Sequence, residues 1–124
     1  MYQGIRHQSE IIVTAPCCHK QIRRQMEQNK APNISSFLNR FGIFLERNAE
    51  MITDGIRALI LEYFGYRVKV MQFISDAHTP KNVMILAEKS KTDPQRQKQI
   101  LHELQAIKSE WGIGFHYLER LTLQ

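Results

Sequence analysis

Between Ile11 and Lys20 the chain reads Ile-Ile-Val-Thr-Ala-Pro-Cys-Cys-His-Lys. An apolar run ends in a proline, two adjacent thiols, an imidazole and an ammonium. A thiol attacks as its thiolate, a state that a nearby cation or a helix N-terminus favours. An imidazole titrates near neutrality and can accept a proton during bond formation. This is how a central strand of an α/β sheet looks when it delivers reactive side chains to the carboxyl edge, where such sheets bind their ligands. Pro16, Cys17, Cys18 and His19 are therefore the candidate catalytic residues, with Lys20 beside them. A metal centre does not fit this string. Three consecutive residues converge poorly on a tetrahedral ion, and the sequence has no C-x₂-C or H-x₃-H spacing to complete one.

The elements that must hold this segment follow from periodicity. Tyr2–Gln8 reads as the end of a helix, and Ile11–Val13 as a strand. Apolar residues at consecutive positions suit a strand covered on both faces, as in a parallel sheet. Cys18–Gln28 reads as a helix, and the turn formers in Lys30–Ser36 break it. Phe37–Phe44 is a short apolar helix or loop. From Leu45 to Phe64, the residues Leu45, Ala49, Ile52, Ile56, Leu59, Ile60 and Tyr63 recur at helical spacing, and Gly65 supplies a left-handed stop. Arg67–Ser75 and Val83–Glu88 read as strands joined by the loop Asp76–Asn82, most simply an antiparallel hairpin. Thr92 or Asp93 caps a last helix with Pro94 in its first turn, ending near Trp111-Gly112. Phe115–Leu123 alternates and is expected to be a short edge strand. His7, His102 and His116 are expected at the surface or at an edge.

The 124 residues make one domain at most, 43% apolar and 23% charged, which is ordinary globular composition. No apolar run approaches the roughly 20 residues that span a bilayer, and Met1–Arg6 does not resemble a signal peptide. Cys17 and Cys18, the only cysteines, are neighbours poorly placed to bridge each other, and free thiols fit a reducing compartment. A cytoplasmic protein without membrane contact is expected. The net charge of +5 permits a polyanionic partner without requiring one. Lys20, Arg23 and Arg24 make one basic turn able to meet an RNA phosphate backbone, although a solvated helix face is the preferred account of them.

The order of elements is that of the second half of an α/β domain, and here the residues resemble a family. The helix Leu45–Phe64, then Gly65-Tyr66, a strand, a loop and an antiparallel strand, is similar to the carboxyl-terminal half of a class I S-adenosylmethionine-dependent methyltransferase. In that fold the seventh strand inserts antiparallel beside the sixth. Ala15-Pro-Cys-Cys-His-Lys20 resembles the motif after the fourth strand in a bacterial group carrying Pro-Cys-Cys-His there. Ile56-Arg-Ala-Leu59, Leu61-Glu62, Gly65-Tyr66 and His78-Thr-Pro-Lys-Asn82 also resemble that group, so the likeness spans roughly residues 11 to 89.

The resemblance implies an α/β fold built on part of a Rossmann-like methyltransferase sheet, with strands equivalent to the fourth through seventh, an antiparallel C-terminal hairpin and flanking helices. Residues 1–124 would be a single partial domain. The donor, S-adenosylmethionine, would bind the complete protein and not this chain alone. The family's Gly-rich loop has no counterpart here, and Gly112-Ile-Gly114 follows a helix where the motif requires a strand. Pro16–His19 would face the sulfonium methyl and the acceptor, with His19 as a base for a nitrogen or oxygen acceptor. Pro-Cys also resembles the pyrimidine C5 methyltransferases, whose thiolate attacks the ring. The reading preferred for Cys17 and Cys18 is a place in the acceptor pocket without a covalent role; packing as small hydrophobes is the plainer alternative. Lys20, His78, Thr79 and Asn82 would contact substrate, RNA or a small molecule, although Pro80 and Asn82 are also ordinary turn residues and His78 and Thr79 also suit a cap on the strand end. A non-catalytic interaction module for nucleic acid or a partner subunit is the second reading, with a second copy able to join an exposed sheet edge. A thiol redox protein is the third, and the lack of C-x-x-C counts against it.

Overall fold

The computed structural model describes residues 1–15, 20–28, 40–72 and 83–123. Their elements are α1 (Tyr2–Arg6), β1 (Ile11–Thr14), α2 (Lys20–Gln28), α3 (Gly42–Tyr63), β2 (Tyr66–Gln72), β3 (Val83–Lys89), α4 (Pro94–Trp111) and α5 (Tyr117–Thr122).

The strands form one sheet in the order β1-β3-β2, with β3 antiparallel to both neighbours. The expected antiparallel hairpin is therefore present as β2 and β3, with Gln72 opposite Val83 and Tyr66 opposite Lys89. Because β3 separates them, β1 and β2 run in the same direction. The described residues contain no fourth strand, and no strand pairs directly in parallel.

Cross-strand partners share a face, and one face is largely buried, although Val70 opposite Ile85 at its end is 56% exposed. Ile12, Ala87 and Val68 lie on one face with Ile85 and Tyr66, and four of these five are buried. Ile11, Glu88 and Arg67 lie on the other with Val13, Leu86 and Lys69. There Ile11 is 62% and Val13 57% exposed, and Arg67 pairs with Glu88 at 3.1 Å. This corrects the expectation of a first strand covered on both faces. Its apolar neighbours in sequence do not share an environment, because only Ile12 turns toward the core.

The core collects Ile12, Ile22, Leu45, Ile56, Ile60, Ile85, Ile100 and Leu118 into one cluster. Helix α3 supplies its largest share. Leu45, Ala49, Ile56 and Ile60 of the expected stripe are buried, and Ile52, Leu59 and Tyr63 are partly so. The helix begins at Gly42, three residues before the expected start. It reverses into β2 at Gly65, whose φ of +90° is a left-handed conformation that glycine adopts without steric cost. A Cβ there would sit 2.9 Å from Thr92 Cγ2 and 3.2 Å from the Thr92 amide nitrogen.

Helix α4 starts as expected, the Asp93 carboxylate accepting from the Gln95 amide at 3.0 Å with Pro94 following, and Gly112 closes it in a left-handed conformation. The expected strand at Phe115–Leu123 is instead helix α5. His116 caps it: its Nδ1 accepts from the Leu118 amide at 3.0 Å, while Glu119 Oε1 accepts from the His116 amide at 3.4 Å. This reciprocal arrangement satisfies two amides that a helix start leaves unpaired and overrides the alternating pattern. His116 is only 3% exposed, so the expected surface position for it is also corrected.

Candidate functional site

The sheet has two edges of interest along the strand axis. At one, β1 and β2 end and β3 begins. Thr14 and Val70 both pair with Ile85, so they stand level across the sheet, and Gln72 lies two residues farther along. With strands about 4.8 Å apart and about 3.4 Å of rise per residue, the ends Thr14 and Gln72 are roughly 12 Å from each other. The segment 16–19 leaves the first of these ends, and 73–82 joins the second to β3. Both strings that the sequence singles out are thus attached to one edge. Pro16, Cys17, Cys18, His19, His78, Thr79 and Asn82 themselves lie outside the described residues. Lys20 is the first residue of α2 and is exposed.

On the two flanks of α2 the folded chain gathers side chains that are distant in sequence. The Arg23 guanidinium meets the Glu46 carboxylate at 3.0 Å and fastens α2 against the start of α3. There Phe41 and Phe44 stand edge to face, ring centroids 5.8 Å apart, with the Arg40 guanidinium 5.9 Å from the Phe41 ring. Phe41, Ile43 and Phe44 are 51%, 60% and 41% exposed. On the other flank of α2, Gln21 and Gln25 hold the backbone of residues 114–117. Gln25 Oε1 accepts from the Gly114 and Phe115 amides at 2.7 and 3.0 Å, and its Nε2 donates to the Phe115 carbonyl at 2.8 Å. Gln21 accepts from the Tyr117 amide at 3.2 Å and donates to the same Phe115 carbonyl at 3.0 Å. Phe115 and Tyr117 stack edge to face at 5.7 Å, and the Arg120 guanidinium lies 3.5 Å from the Phe115 centroid. The apolar stretch 37–44 was the one sequence signal for the first cluster. Nothing in the linear pattern pointed to the second, which depends on contacts between residues about 90 positions apart.

The opposite edge carries a half-open cleft of about 470 Å³, lined by Tyr2, Ile5, Arg6, Phe64, Tyr66 and Lys89 among others. No carboxylate, thiol or imidazole lines it. Its polar groups include the phenols of Tyr2 and Tyr66, the Thr92 and Thr122 hydroxyls and the Lys89 amine, and the two strings that the sequence singles out are attached at the other end of the strands. Two buried ionisable features belong to the fold. Burial, with the Arg57 charge adding to it, lowers His116 to about 4. Lys108 Nζ meets the buried Glu119 carboxylate at 2.8 Å.

The described residues hold no cluster of three or more His, Cys, Asp or Glu side chains suited to a metal ion. Among them no helix is long and apolar enough to cross a membrane. Among the described residues no Gly-rich turn of the kind the resemblance implies for the donor follows a strand. No family model, curated protein or solved structure matches the chain.

Proposed function

We propose that this chain is the acceptor-side, carboxyl-terminal part of a class I S-adenosylmethionine-dependent methyltransferase domain, acting on RNA or a small molecule. The observation that carries the reading is the shared sheet edge. Pro16–His19 and His78–Asn82, separated by about 60 residues, are attached to neighbouring strand ends on the side where open α/β sheets place ligands. The antiparallel β3 beside β2, following α3 and the Gly65 turn, agrees with the arrangement of that family's last two strands. In this reading Pro16, Cys17, Cys18 and His19 form the reacting side of the acceptor pocket, and His19 accepts the acceptor's proton. Lys20, His78, Thr79 and Asn82 position the substrate. Donor binding is assigned to the complete catalytic domain in the cytoplasm, and no catalytic step is assigned to the 124 residues alone.

The test is to read the genomic frame upstream of the Met1 codon and express the extended protein. Calorimetry should detect S-adenosylmethionine binding by the extended protein and none by the 124 residues. A stop codon close upstream, or an extended protein without donor affinity, overturns the reading.

One observation favours a second reading, a non-catalytic module that associates through its sheet. The outer edge of β1 pairs with no described strand, and Ile11 and Val13 beside it are exposed. Such an edge is a template for another chain, including a second copy. Sedimentation of the chain alone distinguishes them: a stable dimer lost in Val13→Lys supports this reading, and a monomer at all concentrations removes its homo-oligomeric form.

A further inference from the structure

The geometry points to a single-stranded nucleic acid bound across α2, between the two aromatic–arginine clusters that flank it. The proposal rests on the methyltransferase reading only in making that strand the acceptor; the binding itself is independent of it.

On α2, Ile22 and Met26 are buried, and Arg23 turns toward α3 through Glu46. Gln21 and Gln25 turn the other way, to the backbone of residues 114–117. At 100° per residue, Lys20 and Arg24 must lie between those two flanks and face outward. Both are exposed, and neither forms an ion pair with a described residue. The same holds for Arg47, one residue from the Arg23–Glu46 seam. A short ridge of two cations, Lys20 and Arg24, therefore lies on the outer face of α2, bordered by the exposed Glu27 that meets Arg23 at 3.7 Å, with Phe41, Phe44 and Arg40 on one side and Phe115, Tyr117 and Arg120 on the other.

The ridge also lies next to the candidate edge. Lys20 follows the end of β1 by six residues, and α3 packs along β2 in the reverse direction. At 1.5 Å per residue its 22 residues extend about 33 Å, against about 23 Å for the seven of β2, so the start of α3 projects past the strand ends.

Exposed rings carry a hydration penalty that a monomer usually avoids in clusters. Here each cluster carries an arginine as well. Rings that can stack on bases, separated by cations that can meet phosphates, are the two components of single-strand recognition. An apolar protein partner would match the rings and leave the cations unpaired. A duplex would present no free base faces to the rings.

The probe is a fluorescently labelled 12-nucleotide single strand, as RNA and as DNA, titrated with the 124-residue chain and followed by anisotropy between 50 and 300 mM salt. With three or four phosphates neutralised, log K should fall against log salt with a slope of about −2 to −3. Lys20→Gln with Arg24→Gln should reduce that slope by about 1.4. Phe41→Leu and Tyr117→Leu should each weaken binding about tenfold with the slope retained. Lys98→Gln, an exposed cation on α4, removes the same kind of charge elsewhere and should change neither. Circular dichroism verifies that each variant folds. Absence of salt-dependent binding overturns the proposal. So does equal binding of an abasic strand, or a loss with Lys98→Gln matching that of a single α2 substitution. A preference between RNA and DNA identifies which strand the surface accepts. Because donor affinity is read separately by calorimetry, a failed strand titration leaves the methyltransferase reading standing, and failed donor binding leaves the strand-binding surface standing.

Discussion

Protonating His116 should destabilise the fold, and the size of the effect can be worked from its surroundings. The side chain is 3% exposed, and its Nδ1 accepts the Leu118 amide, so the native imidazole is neutral with its proton on Nε2. A second proton would replace the acceptor with a donor facing another donor, next to the charge of Arg57. Burial and that charge lower the group to about 4 in the folded chain, from an ordinary value of 6.5. For a histidine held below its unfolded value, the folded state binds fewer protons. The stabilisation is complete above pH 6.5 and is lost as pH falls toward 4. The full difference corresponds to about 3 kcal/mol, and linkage gives about 2 kcal/mol of loss between pH 8 and pH 5.

Urea unfolding followed by the fluorescence of Trp111, the single tryptophan, reads this directly. A loss of about 2 kcal/mol corresponds to a midpoint lower by roughly 1 M at pH 5 than at pH 8. The comparison that isolates the residue is His116→Asn, whose side chain can still accept the Leu118 amide but does not titrate in this range. Its stability is expected to be lower at every pH, because a buried ring is removed, and its dependence on pH should be flatter by about 2 kcal/mol over the same interval. The other histidines contribute equally to both proteins and cancel. Parallel pH profiles for the two proteins would refute the reasoning.

Further predictions concern the supports of the same region. Lys108→Met leaves the buried Glu119 carboxylate without its partner and should cost about 3 kcal/mol in urea unfolding, while adding Glu119→Gln, which removes the charge and keeps an acceptor for the His116 amide, should restore most of it. If the single and double variants are equally unstable, the ion pair is not the cause. Gln25→Leu removes the acceptor of the Gly114 and Phe115 amides and should destabilise by about 1 kcal/mol, with amide exchange accelerated at those two positions; unchanged exchange there counts against the role given to Gln25. Gly65→Ala meets both a left-handed φ and the backbone of Thr92, and should lower stability by more than about 1 kcal/mol; a neutral thermal melt would contradict the close approach.

Local signals in the chain were sufficient for the elements whose causes are local. The 3.6-residue stripe from Leu45 to Tyr63 specified α3, Asp93-Pro94 and Gly112 specified both ends of α4, and Gly65 specified the reversal into β2. The hairpin of β2 and β3 followed because two strand patterns near in sequence pair most simply with each other. The type of the last element was legible in principle, since His116 and Glu119 have the spacing of a reciprocal cap, but alternation of apolar residues there mimicked a strand.

Other features exist only after folding. Ile11, Ile12 and Val13 are equally apolar, and no linear rule says that Ile12 alone faces the core; the one-residue alternation of a strand with a single covered face decides it. The sequence presented Pro16–His19 and His78–Asn82 as separate strings, and the sheet register attaches both to one edge. The surface around α2 depends on tertiary contact most of all. Its two aromatic clusters are separated by about 75 residues, and side-chain bonds from Arg23 on one flank and from Gln21 and Gln25 on the other bring them to the same helix. Periodicity determines which residues share a face of an element, whereas only long-range pairing determines which faces meet.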